Sequence, residues 1–176
     1  MRLLDLFSGA GGAAMGYSRA GFTEIVGVDI KPQPRYPFTF VQADALEYAS
    51  MFWPRFDAIH ASPPCQAHVQ WQNLNEKRYG SRVEHEDFID RTRQLCQAIG
   101  LPWVIENVTG APLRAPLMLC GSRFGLDVRR HRMFESFSIL YGRIWFSWNS
   151  RQSACDCNRS KNCPPGFIRL GCDWRR

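Results

Sequence analysis

Leu3-Leu4-Asp5-Leu6-Phe7-Ser8-Gly9-Ala10-Gly11-Gly12 is the stretch on which the fold turns. Its first half, Leu3 to Phe7, is an apolar run of the length expected for a buried strand; its second half is made of small residues that turn sharply. Ala13 to Ala20 continues it as a helix, Gly21 closes that helix, and Ile25-Val26-Gly27-Val28-Asp29 is a second apolar strand ending in an acid. Strand, glycine loop, helix and strand make a βαβ unit, which sets its strands parallel. Short apolar runs at Thr39 to Gln42, Phe56 to Ala61 and Trp103 to Ile105 repeat the alternation, and Phe88, Thr92, Leu95, Cys96 and Ile99 recur at helical spacing over Glu86 to Ile99. The expected architecture is α/β, a parallel sheet with helices on both sides.

Working outward, 176 residues suit one domain with a small appendage. The 45% hydrophobic and 22% charged fractions are ordinary for a globular protein, and no apolar run reaches the roughly 18 to 20 residues needed to span a bilayer. Met1 stands directly before the apolar run, which leaves no room for an export leader; a cytoplasmic protein is expected. Seven cysteines, three of them scattered singly (Cys65, Cys96, Cys120), do not suggest a disulfide framework, so reduced thiols are expected. The net charge of +6 is concentrated late: residues 143–176 hold seven Arg or Lys against Asp156 and Asp173, leaving +5 there. Such an end suits a phosphate backbone or is simply a solvated tail. The expected division is a catalytic and cofactor-binding domain over residues 1–137 and a short basic, Cys-rich segment over 138–176. Strand candidates lie at Arg132 to Phe137 and Arg143 to Trp148. Ala67 to Glu86 is polar and without period, a long loop directly after Cys65 and a candidate lid.

Three constellations carry chemistry. Phe7-x-Gly9-x-Gly11-Gly12 after a strand brings backbone close to a ligand, because glycine has no side chain to collide with it, and Asp29, 18 residues beyond Gly11 at a strand end, is placed for ribose hydroxyls. Gly9-x-Gly11-x-x-Ala14 fits a nicotinamide and an adenosyl cofactor equally well, and a tight turn alone would also ask for small residues. Ser62-Pro63-Pro64-Cys65-Gln66 sets a thiol at the carboxyl end of a strand, its direction fixed by the prolines; taken alone, a free cysteine is more often a packing residue. Glu106-Asn107-Val108 sets a carboxylate at the same edge, where burial would raise its pKa toward proton transfer near neutrality, although a lone glutamate there is more often a surface or capping residue.

In order along the chain, Asp5-Leu6-Phe7-Ser8-Gly9-Ala10-Gly11-Gly12, Pro64-Cys65-Gln66, Glu106-Asn107-Val108 and Arg130-x-Arg132 resemble the motifs of DNA cytosine-5 methyltransferases over roughly residues 2–137. The resemblance implies a class I S-adenosylmethionine-dependent, Rossmann-like fold, S-adenosyl-L-methionine as cofactor and double-stranded DNA as substrate. It also implies that Phe7, Gly9, Gly11, Gly12 and Pro64 line the cofactor site, that Asp29 binds ribose, and that Asp44 meets the adenine amino group. Cys65 would be the nucleophile, Glu106 would contact cytosine N3 and the exocyclic amine, and Arg132, with Arg130 beside it, would contact O2. Where the family carries a glutamine before those arginines, this chain has Val128.

Only 39 residues follow Phe137, fewer than the family's recognition region and final helix require, so a minimal or truncated form of the kind phages encode is expected, its pocket completed by a partner or second copy. Cys155, Cys157, Cys163 and Cys172 cluster there, but their spacing is not the paired Cys-x-x-Cys of zinc ribbons, and no metal is assigned. His60, His68, His85 and His131 lack ligand spacing and are read as packing or surface residues. A binding module without turnover and an RNA cytosine-5 methyltransferase are the alternative functions.

Overall fold

The computed structural model describes residues 1–68 and 86–136. Seven strands form one sheet: β1 (Arg2–Leu6), β2 (Glu24–Asp29), β3 (Thr39–Gln42), β4 (Ala58–Ala61), β5 (Trp103–Asn107), β6 (Leu117–Cys120) and β7 (His131–Ser136), in the spatial order β3-β2-β1-β4-β5-β7-β6. The first five are parallel, as the βαβ reading expects. β7 runs antiparallel to both β5 and β6. Its direction has a functional consequence, because the start of β7 reaches the edge where β5 ends.

Alternation along the strands divides the core. Leu4, Leu6, Val28, Ile59, Ala61, Trp103 and Ile105 face helices α2 (Ala45–Phe52) and α3 (Ile89–Ile99), which contribute Ala45, Ala49 and Cys96. Leu3 and Ile25 face the other side, under Ala14 of α1 (Gly12–Arg19) and the ring of Tyr36. Helices therefore cover both faces. None among the described residues is long and apolar enough to cross a membrane.

Local chemistry sets the boundaries. Gly11, at φ 86°, turns the chain into α1. Asp44 caps α2, its Oδ1 accepting from the backbone N–H of Leu46 and Glu47 at 2.9 Å each. α3 begins at Ile89, later than the Glu86 that periodicity suggests, because Asp87 Oδ1 accepts the Ile89 N–H and holds the preceding residues in a turn; Gly100, at φ 77°, ends it. The strand expected at Arg132 to Phe137 is β7, beginning one residue earlier. The helix α2 and the strand β6 have no counterpart in the sequence reading. The expected loop is described only at its ends, and the Arg143 to Trp148 strand, the basic segment and its four cysteines lie outside the described residues.

A buried ion pair fixes β7. Arg93 of α3, 1% exposed, donates from Nε and Nη2 to the two carboxylate oxygens of Glu135 at 2.6 and 2.8 Å, from Nη2 to the Pro112 carbonyl at 2.9 Å, and also pairs with Asp90. Glu135 additionally accepts the Arg114 N–H at 2.7 Å. Both buried charges are thus bidentate and hydrogen-bonded, the arrangement that makes such burial tolerable.

Candidate active site

A cleft of about 330 Å³ opens at the carboxyl edge of the parallel strands, within the range of small-molecule sites. Its wall is drawn from the ends of β1, β2, β4 and β5 and from the start of β7, the place where open α/β sheets bind ligands. Phe7, Asp29, Ile30, Lys31 and Gln33 line one part; Ser62 to Gln66, Glu106 to Val108 and Arg132 line the rest. Of the residues singled out in the sequence, Phe7, Asp29, Pro64, Cys65, Glu106 and Arg132 share this cleft. Gly9, Gly11, Gly12, Asp44 and Arg130 do not line it.

The glycine loop divides its labour. Phe7 adopts φ 54° and Gly9 φ 49°, a tight left-handed passage out of β1. The Gly9 N–H donates to Asp29 Oδ2 at 3.0 Å and the Lys31 N–H to Asp29 Oδ1 at 2.9 Å, so the carboxylate at the end of β2 is oriented by the loop opposite it. A side chain at Gly9 or Gly12 would meet nothing within 4 Å, so the backbone there faces open space. Gly11 is different: a Cβ there would lie 2.6 Å from Pro37 Cδ and 3.0 Å from the Tyr36 ring. Gly11 is demanded by packing and by its positive φ. Asp44 is exposed and already engaged as the α2 cap through one oxygen.

Register brings Glu106 and Arg132 together. Glu106 pairs with Phe134 across the antiparallel β5 and β7, so Arg132, two residues from Phe134, lies diagonally across on the same face. The two side chains form an ion pair, Arg132 Nε to Glu106 Oε1 at 2.7 Å, half-buried in the cleft. Glu106 therefore meets a guanidinium within the cleft. Arg132 Nη1 also donates to the His131 carbonyl at 3.1 Å. Arg130, exposed, stands outside this pair.

Cys65 is partly exposed, whereas Cys96 and Cys120 are buried, and all three are free thiols. Burial pushes the Cys96 thiol up to about 12, which makes it inert. The Cys65 turn is held by residues that motif spacing did not single out. Asn107, 2% exposed, donates from Nδ2 to the Pro63 carbonyl at 2.9 Å while its Oδ1 accepts the Val108 N–H at 2.8 Å. The Ser62 N–H donates to the Leu6 carbonyl at 3.1 Å. A buried amide ending an apolar strand was the available signal for Asn107. Behind β1 and β4 lies a polar cluster for which the sequence offered none. Tyr36 Oη donates to Asp5 Oδ2 at 3.0 Å, and His60 lies between Tyr17 Oη and Ser62 Oγ at 3.1 and 3.0 Å. Burial raises the Asp5 carboxyl to about 7 against the opposing hydrogen bond from Tyr36, and burial lowers His60 to about 4.

The sheet order, the antiparallel β7 and a cleft at the carboxyl edge define the Rossmann-like fold of class I S-adenosylmethionine-dependent methyltransferases. The same fold is seen in DNMT2 of Spodoptera frugiperda (TM-score 0.58, 20% identity, 77% of this chain and 49% of that one) and in the methyltransferase EhMeth of Entamoeba histolytica (TM-score 0.53, 15% identity, 77% and 52%). The sequence is similar to the Type II methyltransferase M.FnuDI of Fusobacterium nucleatum, 37% identical over 116 residues, or 62% of this chain and 33% of that protein. The family model described as C-5 cytosine-specific DNA methylase matches residues 1–76. The chain spans about a third of the length of M.FnuDI.

Proposed function

We propose that this protein methylates carbon 5 of cytosine in DNA, with S-adenosyl-L-methionine as methyl donor and Cys65 as nucleophile. The observation that carries this reading is the shared cleft: Cys65, Glu106 and Arg132 open into the same space as Phe7 and Asp29. Asp29, held by Gly9 and Lys31, suits the ribose hydroxyls of an adenosyl group, and the open backbone at Gly9 and Gly12 suits its close approach. When bound, the cofactor supplies an electrophilic methyl group.

Each residue has a distinct task. Cytosine C5 is a weak nucleophile, so the Cys65 thiolate adds to C6 while Glu106 holds a proton at N3; the C5–C6 electron pair then becomes available at C5 to take the methyl group. Arg132 hydrogen-bonds O2 and keeps Glu106 in place. Loss of the C5 proton lets Cys65 leave and restores the aromatic ring. Because C6 is stacked in duplex DNA, the base turns out of the helix to reach the thiol, at a cost of a few kcal/mol.

The test is mass spectrometry of nucleosides from DNA and, in parallel, RNA incubated with the protein and S-adenosylmethionine. The expected result is 5-methylcytosine in DNA and none with Cys65→Ala; absence of methyl gain with the unaltered chain would reject an enzyme that acts alone. Calorimetric titration with the cofactor then separates a catalyst from a DNA- or cofactor-binding module, or from a chain needing a partner to complete its pocket.

A further inference from the structure

His60 is 3% exposed at the centre of β4, aligned with Asp5 of β1 and turned toward the α1 side of the sheet. Burial keeps its ring neutral, so it has one N–H and one lone pair, and both find a hydroxyl. Tyr17 Oη of α1 is 3.1 Å from Nδ1, with the two rings 5.2 Å apart, and Ser62 Oγ is 3.0 Å from Nε2. Either tautomer makes a continuous chain: Tyr17 donates to His60 and His60 to Ser62, or the reverse. Ser62 opens the Ser62-Pro63-Pro64-Cys65 turn and lines the cleft. Asn107 secures the next residue through the Pro63 carbonyl, leaving Ser62 Oγ as the point where the turn is tied to the helix α1 that follows the glycine loop.

We propose that His60 is a positioning residue for Cys65, linking the thiol-bearing turn to α1 through Tyr17 and Ser62. This rests on the reading of Cys65 as the nucleophile. The sequence between Ser62 and Cys65 is two prolines, whose fixed φ passes an orientation set at Ser62 along to the thiol with little slack. With the Ser62 side chain tied as well as the Ser62 N–H and the Pro63 carbonyl, the turn presents the thiol in one direction; without the side-chain tie it samples a wider range.

Tyr17→Phe and Ser62→Ala each remove one link and keep the ring of His60. In each, alkylation of Cys65 by iodoacetamide, followed peptide by peptide, is expected to quicken about three- to tenfold, the scale of one lost hydrogen bond, while buried Cys96 keeps its rate. With turnover measured on DNA, kcat is expected to fall by a similar factor and the KM for S-adenosylmethionine to hold. Cys65 rates within twofold of the unaltered chain in both variants would overturn the proposal, as would Cys65 and Cys96 quickening together, the mark of general loosening. Alkylation needs neither DNA nor cofactor, so a chain without methyltransferase activity would defeat the functional reading and still leave this test decisive.

Discussion

Glu106 and Arg132 depend on one another. Before substrate enters, the carboxylate is held at 2.7 Å by the guanidinium, and the proposed chemistry turns both toward one base. Glu106→Gln keeps shape and hydrogen-bonding reach but loses the transferable proton; kcat/KM is expected to fall about 10²- to 10⁴-fold in a methyl-transfer assay, with cofactor affinity unchanged by calorimetry. Arg132→Lys keeps the charge but loses the planar fork, so a substantial loss of activity is expected there also. Unaltered kinetics in Glu106→Gln would remove Glu106 from the reaction. The three described thiols show how environment assigns roles to one residue type: burial silences Cys96, Cys120 is also buried, and Cys65 opens into a cleft.

Two elements place these residues, and each yields a stability prediction. Gly11 combines φ 86° with a Cβ position 2.6 Å from Pro37, so Gly11→Ala is expected to cost about 1–3 kcal/mol in urea unfolding, through strain and collision together. Glu135→Ala leaves Arg93 buried without its principal partner; a loss of about 3–5 kcal/mol is expected, with β7, and therefore Arg132, released from its register. Equal stability in either variant would contradict the packing described. The parallel core was legible because β1, β2, β4 and β5 are apolar runs bounded by turn residues, and the Cys65 and Glu106 positions followed because both stand at strand ends. The direction of β7 was not legible, since it depends on pairing with β5 and β6 and leaves no periodic trace in His131–Ser136. α2 was missed because Asp44, a sound helix cap, was absorbed into a motif. The roles of Asn107, His60 and Tyr36 arise from contacts across 44, 43 and 31 residues of sequence, which spacing cannot reveal.

At the scale of the whole molecule, the buried polar cluster couples the fold to pH. Asp5, with Oδ1 lacking a hydrogen-bond partner among the described residues, rises from 3.8 to about 7 on folding. Between those values the folded state holds a proton that the unfolded chain has released, so stability is lost as pH rises, by up to about 1.4 kcal/mol per unit. His60 acts oppositely: lowered from 6.5 to about 4, it makes stability fall as pH drops below 6.5. Asp5→Asn removes the first effect alone, so its stability relative to the unaltered chain is expected to climb from pH 5 to pH 8 in urea titrations; a difference independent of pH would show that Asp5 ionises in the fold as it does in water. The molecule also spans a third of M.FnuDI, so the central claim is best tested at the bond it asserts. DNA carrying 5-fluorocytosine blocks loss of the C5 substituent and should arrest the reaction at the C6 adduct. Incubated with this protein and S-adenosylmethionine, it is predicted to yield one covalent complex whose DNA is bonded to Cys65 in the digested peptides; methyl transfer to ordinary DNA without such an adduct, or an adduct at another residue, would contradict the account.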